Sequence, residues 1–325
     1  MKKLLTTSAI VALVGSSVSA IAETTVKGSI EQTMISTSYD AAGSTAGATA
    51  LGQETNLSID SSKELSNGWK LSGGFRLENN AIDSSTIKIA KGGFSIHTGA
   101  DTGSNIHSNL NPKVGEQPGD VISGEAANDG FGSDAQAHDV QHIGVEFSAD
   151  MGKIFLNYAP DSSATISNSG GSVGDGGTSI TEIGFQGSLG VAGLNLLIGQ
   201  ETISGDLALA DITNDVLSVS YTTGPVAVGF TVRSRDDGSR STDSADGIQT
   251  YSIAYKVSDD ISVSYEHFET SFEGSTKTDE EFDQISIGYN FGGLGVSLDY
   301  VTADNVAGTA TDDRKAIQLR TVYSF

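Results

Sequence analysis

The chain closes on Ala316-Ile317-Gln318-Leu319-Arg320-Thr321-Val322-Tyr323-Ser324-Phe325. Ile317, Leu319, Thr321, Tyr323 and Phe325 form one alternate set, and Gln318 and Arg320 fall on the other. A period of two is the mark of a strand, whose successive side chains point to opposite faces. Chains usually fray into a polar tail. This one keeps an apolar strand face to its last residue, so the strand is expected to be paired to its end.

The other end says where such a strand could live. Lys2 and Lys3 precede a mostly apolar stretch from Leu4 to Val14, and Ala20-Ile21-Ala22 follows as a small-residue cleavage site. This predicts a secretory signal peptide over 1–22, with Glu23 as the first mature residue. The exported chain carries no cysteine, so disulfides do not stabilise it. It has no apolar run near the ~18 residues a spanning helix requires.

Residues 1–22 hold two lysines and no acids, so the remainder has 16 bases against 41 acids, or −25. That balance excludes nucleic acid as a natural partner, because phosphate binding needs a basic surface. High charge with modest hydrophobicity also fits disorder. Here the acids gather in Gly/Ser/Asp-rich stretches, and between them lie alternating segments that a disordered chain would not supply.

Working back from the last strand, the alternation recurs. It runs through Trp69/Leu71/Phe75/Leu77, Phe94/Ile96, Ile143/Val145/Phe147, Leu194/Leu196/Ile198, Val226/Val228/Phe230/Val232, Tyr251/Ile253/Tyr255 and Ile285/Ile287/Tyr289/Phe291. With the intervening segments the reading is one strand, seven hairpins and a final strand, sixteen in all. Tight Gly/Asn/Asp turns close the hairpins at one end. At the other end the connections are long and polar, near 37–53, 101–138, 160–178, 201–213, 234–247, 269–280 and 302–314, with one short connection at 79–84. An even strand count with unequal ends predicts an all-β, 16-stranded antiparallel transmembrane β-barrel, apolar outside and polar within. A soluble sandwich would not make its two ends so unequal, and a β-helix would show a short repeat. Trp69, Phe94, Tyr221, Phe291, Tyr323 and Phe325 fall at the short-turn end, where an interfacial girdle is expected.

The signal sequence, the strand count, the long connection after the fifth strand and the terminal aromatic together resemble the Gram-negative general diffusion porins. The short loops and Gly-rich hairpins are most similar to alphaproteobacterial members. The resemblance implies a passive outer-membrane channel for small hydrophilic solutes and ions, not an enzyme. It also implies a homotrimer in lipid and lipopolysaccharide, and a C-terminal Phe325 read by the barrel assembly machinery. It further implies that the third outer loop, 101–138, folds inward and narrows the channel.

Alternation assigns the lumen face. Arg76 and Lys88 point inward on the third and fourth strands, His97 on the fifth, and Gln318 and Arg320 on the last. Closure places Arg320, Arg76 and Lys88 on one arc, with Lys27 near its turn end. The third loop offers Asp101, Glu116, Asp120, Glu125, Asp129 and Asp134 against a single lysine, Lys113. Loop acids facing wall bases would set a transverse field across a wet constriction. The expected constriction residues are therefore Arg76, Lys88, Arg320, Glu116 and Asp120, and the acidic balance predicts cation preference. Arg233 and Arg235 also point inward, beside a loop whose acids suggest local pairing.

No cofactor is expected. Oxygens at Glu125, Asp129 and Asp134 leave loop-bound calcium open without a full ligand spacing. His138 and His142 are ~13 Å apart along a strand and cannot share an ion. A lipase- or protease-like site would need a Ser-His pair with an orienting group, and no histidine falls opposite a strand serine. The remaining alternative is a surface adhesin or receptor acting through the long loops.

Overall fold

In lipid every backbone polar group needs a partner within the protein, which leaves a closed barrel as the only spanning sheet. A computed structural model of the chain takes that form. It describes residues 23–39, 47–79, 81–122, 137, 140–160, 179–204, 211–236, 245–273 and 276–325. The expected signal peptide lies outside these residues.

Sixteen antiparallel strands close into one barrel, β16 lying beside β1. They are β1 Glu23–Tyr39, β2 Thr49–Glu64, β3 Lys70–Glu78, β4 Ala81–Lys91, β5 Phe94–Ala100, β6 His142–Ala149, β7 Gly152–Ala159 and β8 Ser179–Gly187. There follow β9 Leu194–Ser204, β10 Ile212–Thr223, β11 Val226–Asp236, β12 Ala245–Lys256, β13 Ile261–Phe272, β14 Glu280–Phe291, β15 Leu294–Asp304 and β16 Arg314–Ser324.

The seam explains the ending. β1 pairs β16 from Ser29↔Ser324 to Tyr39↔Arg314. Gly28 N–H then donates to the Phe325 carbonyl oxygen, and Phe325 N–H donates to the Gly28 carbonyl, each at 2.9 Å. The last residue is thus part of the closing ladder. Its ring covers Gly28, where an added Cβ would lie 2.5 Å from Phe325 Cζ.

The alternation is visible in exposure. On β16, Ile317 is 51% and Tyr323 52% exposed, whereas Ala316 and Gln318 are 0% and 5%. At the short-turn end, Gly92 and Gly93 (φ 58° and 84°) and Gly292 and Gly293 (φ 56° and 102°) form two-residue connections. Positive φ at both central residues matches the right-handed strand twist and requires glycine here.

Two expectations change. Several strands run beyond their apolar alternation, so β2 begins at Thr49 and β15 reaches Asp304. Hydrogen bonding continues after the strand has left the lipid belt, where the outer face no longer has to be apolar. The inner face is also not uniformly polar. Phe268, Phe282, Val301 and Ala316 bury Val121 and Ile122 of the loop after β5, and Phe155, Leu197 and Val216 bury Ile106 of the same loop. Apolar residues on a wet wall are explained by the segment packed over them.

Candidate functional site: the lumen and the loop between β5 and β6

The loop from Asp101 lies against side chains of the barrel's inner face, strand after strand. Ser104 donates through its N–H and its hydroxyl to Glu146 Oε1, at 2.9 and 2.6 Å. Ile106 N–H donates to Glu182, and His107 Nε2 lies 3.2 Å from Glu201 Oε1. Arg233 on β11 donates to the carbonyls of Ile106 and His107, at 3.0 and 3.2 Å. Further along, Asn111 Nδ2 donates to Thr231 Oγ1 (3.2 Å), Val114 N–H donates to Ser264 Oγ (3.0 Å), and Gln284 Nε2 donates to the Glu116 carbonyl (2.6 Å). On the returning limb Ala137 N–H donates to Glu201 Oε2 at 2.9 Å. The described loop residues, which belong to no strand, thus place these backbone groups against partners on the wall.

The route follows glycines. A Cβ at Gly199 would meet Ile106 Cγ2 at 2.5 Å, one at Gly229 would meet Pro112 Cδ at 2.5 Å, and one at Gly288 would meet Val114 Cγ1 at 2.5 Å. All three stand on the inner phase of β9, β11 and β14, and their missing side chains let the loop approach the sheet. The loop then makes one short helix, α1, Pro118–Val121, with Pro118, Gly119 and Val121 buried and Asp120 exposed.

The expected arc of bases exists, since β16, β1, β2, β3 and β4 are neighbours. Its pairing differs from the expectation. Arg320 NH2 meets Glu116 Oε1 and Glu31 Oε2, both at 2.6 Å. This loop acid and this wall base are therefore in contact, with no water-filled gap between them. Arg76 instead holds Glu78 (2.6 Å) and Asp83 (2.8 Å), and Lys88 holds Glu146 (2.6 Å). The bulge between Arg76 and Leu77 shifts the β3–β4 register at that point. Arg320 thus ties the described loop to the seam through Glu116, while Arg76 also feels the charge of Asp101 at the start of the loop.

Glu116 is the titratable group to watch. Burial pushes its carboxyl up to about 7; Arg320 opposes the shift, while Asp120 and Glu31 reinforce it. Its charge thus changes near neutral pH.

Alternation alone did not single out Glu146, Glu182 and Glu201 as the loop's anchors. Their signal was present: each is an inward-phase glutamate on β6, β8 or β9, beside a loop whose backbone needs acceptors. His142 faces His97 across the neck of the loop, Nε2 to Nε2 at 3.3 Å, with its Nδ1 3.0 Å from the Val140 carbonyl oxygen. Glu125, Asp129, Asp134 and His138 lie outside the described residues. Among the described residues no group of three or more His, Asp or Glu is arranged to hold a metal ion.

A closed barrel with an apolar exterior, a polar-lined interior and a loop held against its inner wall defines a membrane-spanning pore protein. The sequence profile of the Gram-negative porin family matches residues 6–325, and the chain belongs to that family. It is a channel of the outer membrane and not an enzyme. Among solved structures, the anion-selective porin of Comamonas acidovorans is similar at 14% identity and TM-score 0.68, over 94% of this chain and 100% of that one. A mutant of the Rhodopseudomonas blastica porin is similar at 17% identity and TM-score 0.62, over 93% and 100%. OmpT of Vibrio cholerae lacking its loop L8 is similar at 15% identity and TM-score 0.62, over 93% and 99%. At these identities the likeness is one of fold. No protein of curated function matches the chain.

Proposed function

We propose that this porin is a water-filled, cation-preferring channel for passive diffusion of small hydrophilic solutes and ions, narrowed by the loop over 101–138. The observation that carries the reading is the chain of hydrogen bonds from Ser104 to Glu116 along inner-face side chains of β6 to β14. A segment laid along the wall over that arc reduces the open cross-section. The remaining passage runs past the β1–β4 side, where Glu31, Glu54, Asp60, Arg76 and Lys88 stand on the inner phase. Cation preference is supported by the balance of −25 and by Asp120, exposed on α1. The proposed site residues are Arg76, Lys88, Arg320, Glu116 and Asp120.

Assembly as a homotrimer among lipid and lipopolysaccharide, with Phe325 read by the assembly machinery, completes the proposal. The second reading, an adhesin or receptor using the long outer loops, predicts no open channel. Purified protein refolded into a planar bilayer separates the two. Ohmic steps with a cation-directed reversal potential in dilute KCl support the channel, and closure at all voltages supports the receptor.

A further inference from the structure

Beneath the loop, toward the short-turn end, a cavity of about 640 Å³ opens between the wall of β10–β16 and the loop residues Lys113 and Val114. One row of directly paired inner-face residues crosses this wall: Lys256↔Ser262, Ser262↔Gly288, Gly288↔Ser297 and Ser297↔Arg320. All five residues line the cavity. The row spans four strand spacings, about 19 Å. It reads base, hydroxyl, glycine, hydroxyl, base. Gly288 at its centre admits Val114 to the wall, which brings Lys113 over the row.

The charges here are unequally occupied. Arg320 is shared by Glu31 and Glu116. Lys256 pairs with Asp259, whose side chain is 97% exposed. Asp260 lies at the same turn and also lines the cavity. Lys113 has no hydrogen-bond or ion-pair partner among the described residues, and neither has the Ser262 hydroxyl. An uncompensated ammonium and a free hydroxyl thus face one cavity in a chain whose balance is strongly acidic.

We infer that this row, with Lys113 above it, is a subsite that holds an oxyanion group, carboxylate or phosphate, of a passing solute. The inference rests on the channel reading above. Lys113 supplies the charge, Ser262 the hydroxyl donor, and Gly288 leaves room for the loop that carries Lys113. The acidic outer face governs which ions collect at the mouth, whereas this subsite acts on a solute already inside.

The test is block of single-channel current at low salt by tripolyphosphate and, separately, by tricarballylate, added to either side of the bilayer. Unblocked conductance steps test the channel itself, so a dead channel and a missing subsite are distinguishable. The expected result is reversible block by at least one probe, stronger from the short-turn side. Lys113→Gln should raise the half-blocking concentration about tenfold and Ser262→Ala about threefold, the scale of a charged and a neutral hydrogen bond. Block by tripolyphosphate alone assigns phosphate, and block by tricarballylate alone assigns carboxylate. Lys27→Gln, which removes an inner-face base outside the cavity, should leave the block unchanged. Absence of block by both probes would overturn the subsite. Block unaffected by Lys113→Gln, or weakened equally by Lys27→Gln, would overturn it as well.

Discussion

Arg320 on the last strand and Glu116 on the loop after β5 are joined at 2.6 Å, with Glu31 of the first strand on the same guanidinium nitrogen at 2.6 Å. The seam of the barrel and the tip of the loop thus share one base. Removing it leaves two carboxylates facing each other, so Arg320→Gln should loosen the tip. The readout is tryptic cleavage after Lys113 in the folded barrel, expected to be several-fold faster than in wild type. An equal rate would mean that the tip is held elsewhere.

Glu116 should make ion preference depend on pH. Its carboxyl is raised to about 7 from an ordinary 4.5, chiefly by burial. A raised carboxyl favours the docked state below its ordinary value, and that contribution is lost as pH rises through about 7. Over the same interval Glu116 gains charge. Cation preference should therefore rise between pH 5 and 8, measured as reversal potential across a KCl gradient. Glu116→Gln should flatten that rise. A wild-type curve that is already flat contradicts the assignment.

Charge selectivity should divide by location. Neutralising Glu116 and Asp120 together should reduce cation preference more than neutralising two acids around Asp243, in a connection expected from the sequence to lie outside the channel. The difference should persist at 1 M salt, where the Debye length is ~3 Å and mouth charges are screened. If the two double variants behave alike, the described loop does not line the narrowest point.

The glycine path predicts a size effect. Gly229→Val places methyl groups where Pro112 Cδ and Asn111 now lie, within 2.6 Å of the first added carbon. The loop should be displaced and single-channel conductance should increase. Unchanged conductance with an assembled barrel would show that the loop is not held along this path.

Closure at Gly28 and Phe325 predicts an assembly defect. Deleting Phe325 removes two backbone bonds and the ring over Gly28. Phe325→Asp keeps the backbone and puts a charge near an interface, where it costs only ~0–1 kcal/mol. Heat-modifiable barrel in the outer membrane should fall for both variants. Normal assembly of Phe325→Asp would show that the aromatic ring is not read.

Much of the barrel was legible because lipid imposes a simple rule: Ile317, Leu319, Tyr323 and Phe325 face out, and Gln318 and Arg320 do not. Phase also placed Arg76, Lys88 and Arg320 on one arc. The partners were not legible, because pairing depends on where a loop lies and alternation fixes only the face. Lys88 takes Glu146, a residue 58 positions away on a strand separated from β4 only by β5. The clearest missed clue was the inward Phe155, Phe268 and Phe282. Apolar groups on a water-filled wall signal a cover, and here they mark where Ile106, Val121 and Ile122 pack.

The central claim is that the loop lies against the inner wall, and one crosslink tests it most directly. The chain has no cysteine of its own. A Cβ built on Gly288 lies 3.9 Å from Val114 Cβ, within the ~3.5–4.5 Å that a disulfide spans. The Val114→Cys/Gly288→Cys pair, made in the assembled outer-membrane protein, should form an intramolecular disulfide. Its yield is read by thiol labelling with and without reductant. Near-complete crosslinking, with channel steps retained, is the predicted result. Free thiols under oxidising conditions in a properly assembled barrel would contradict the account.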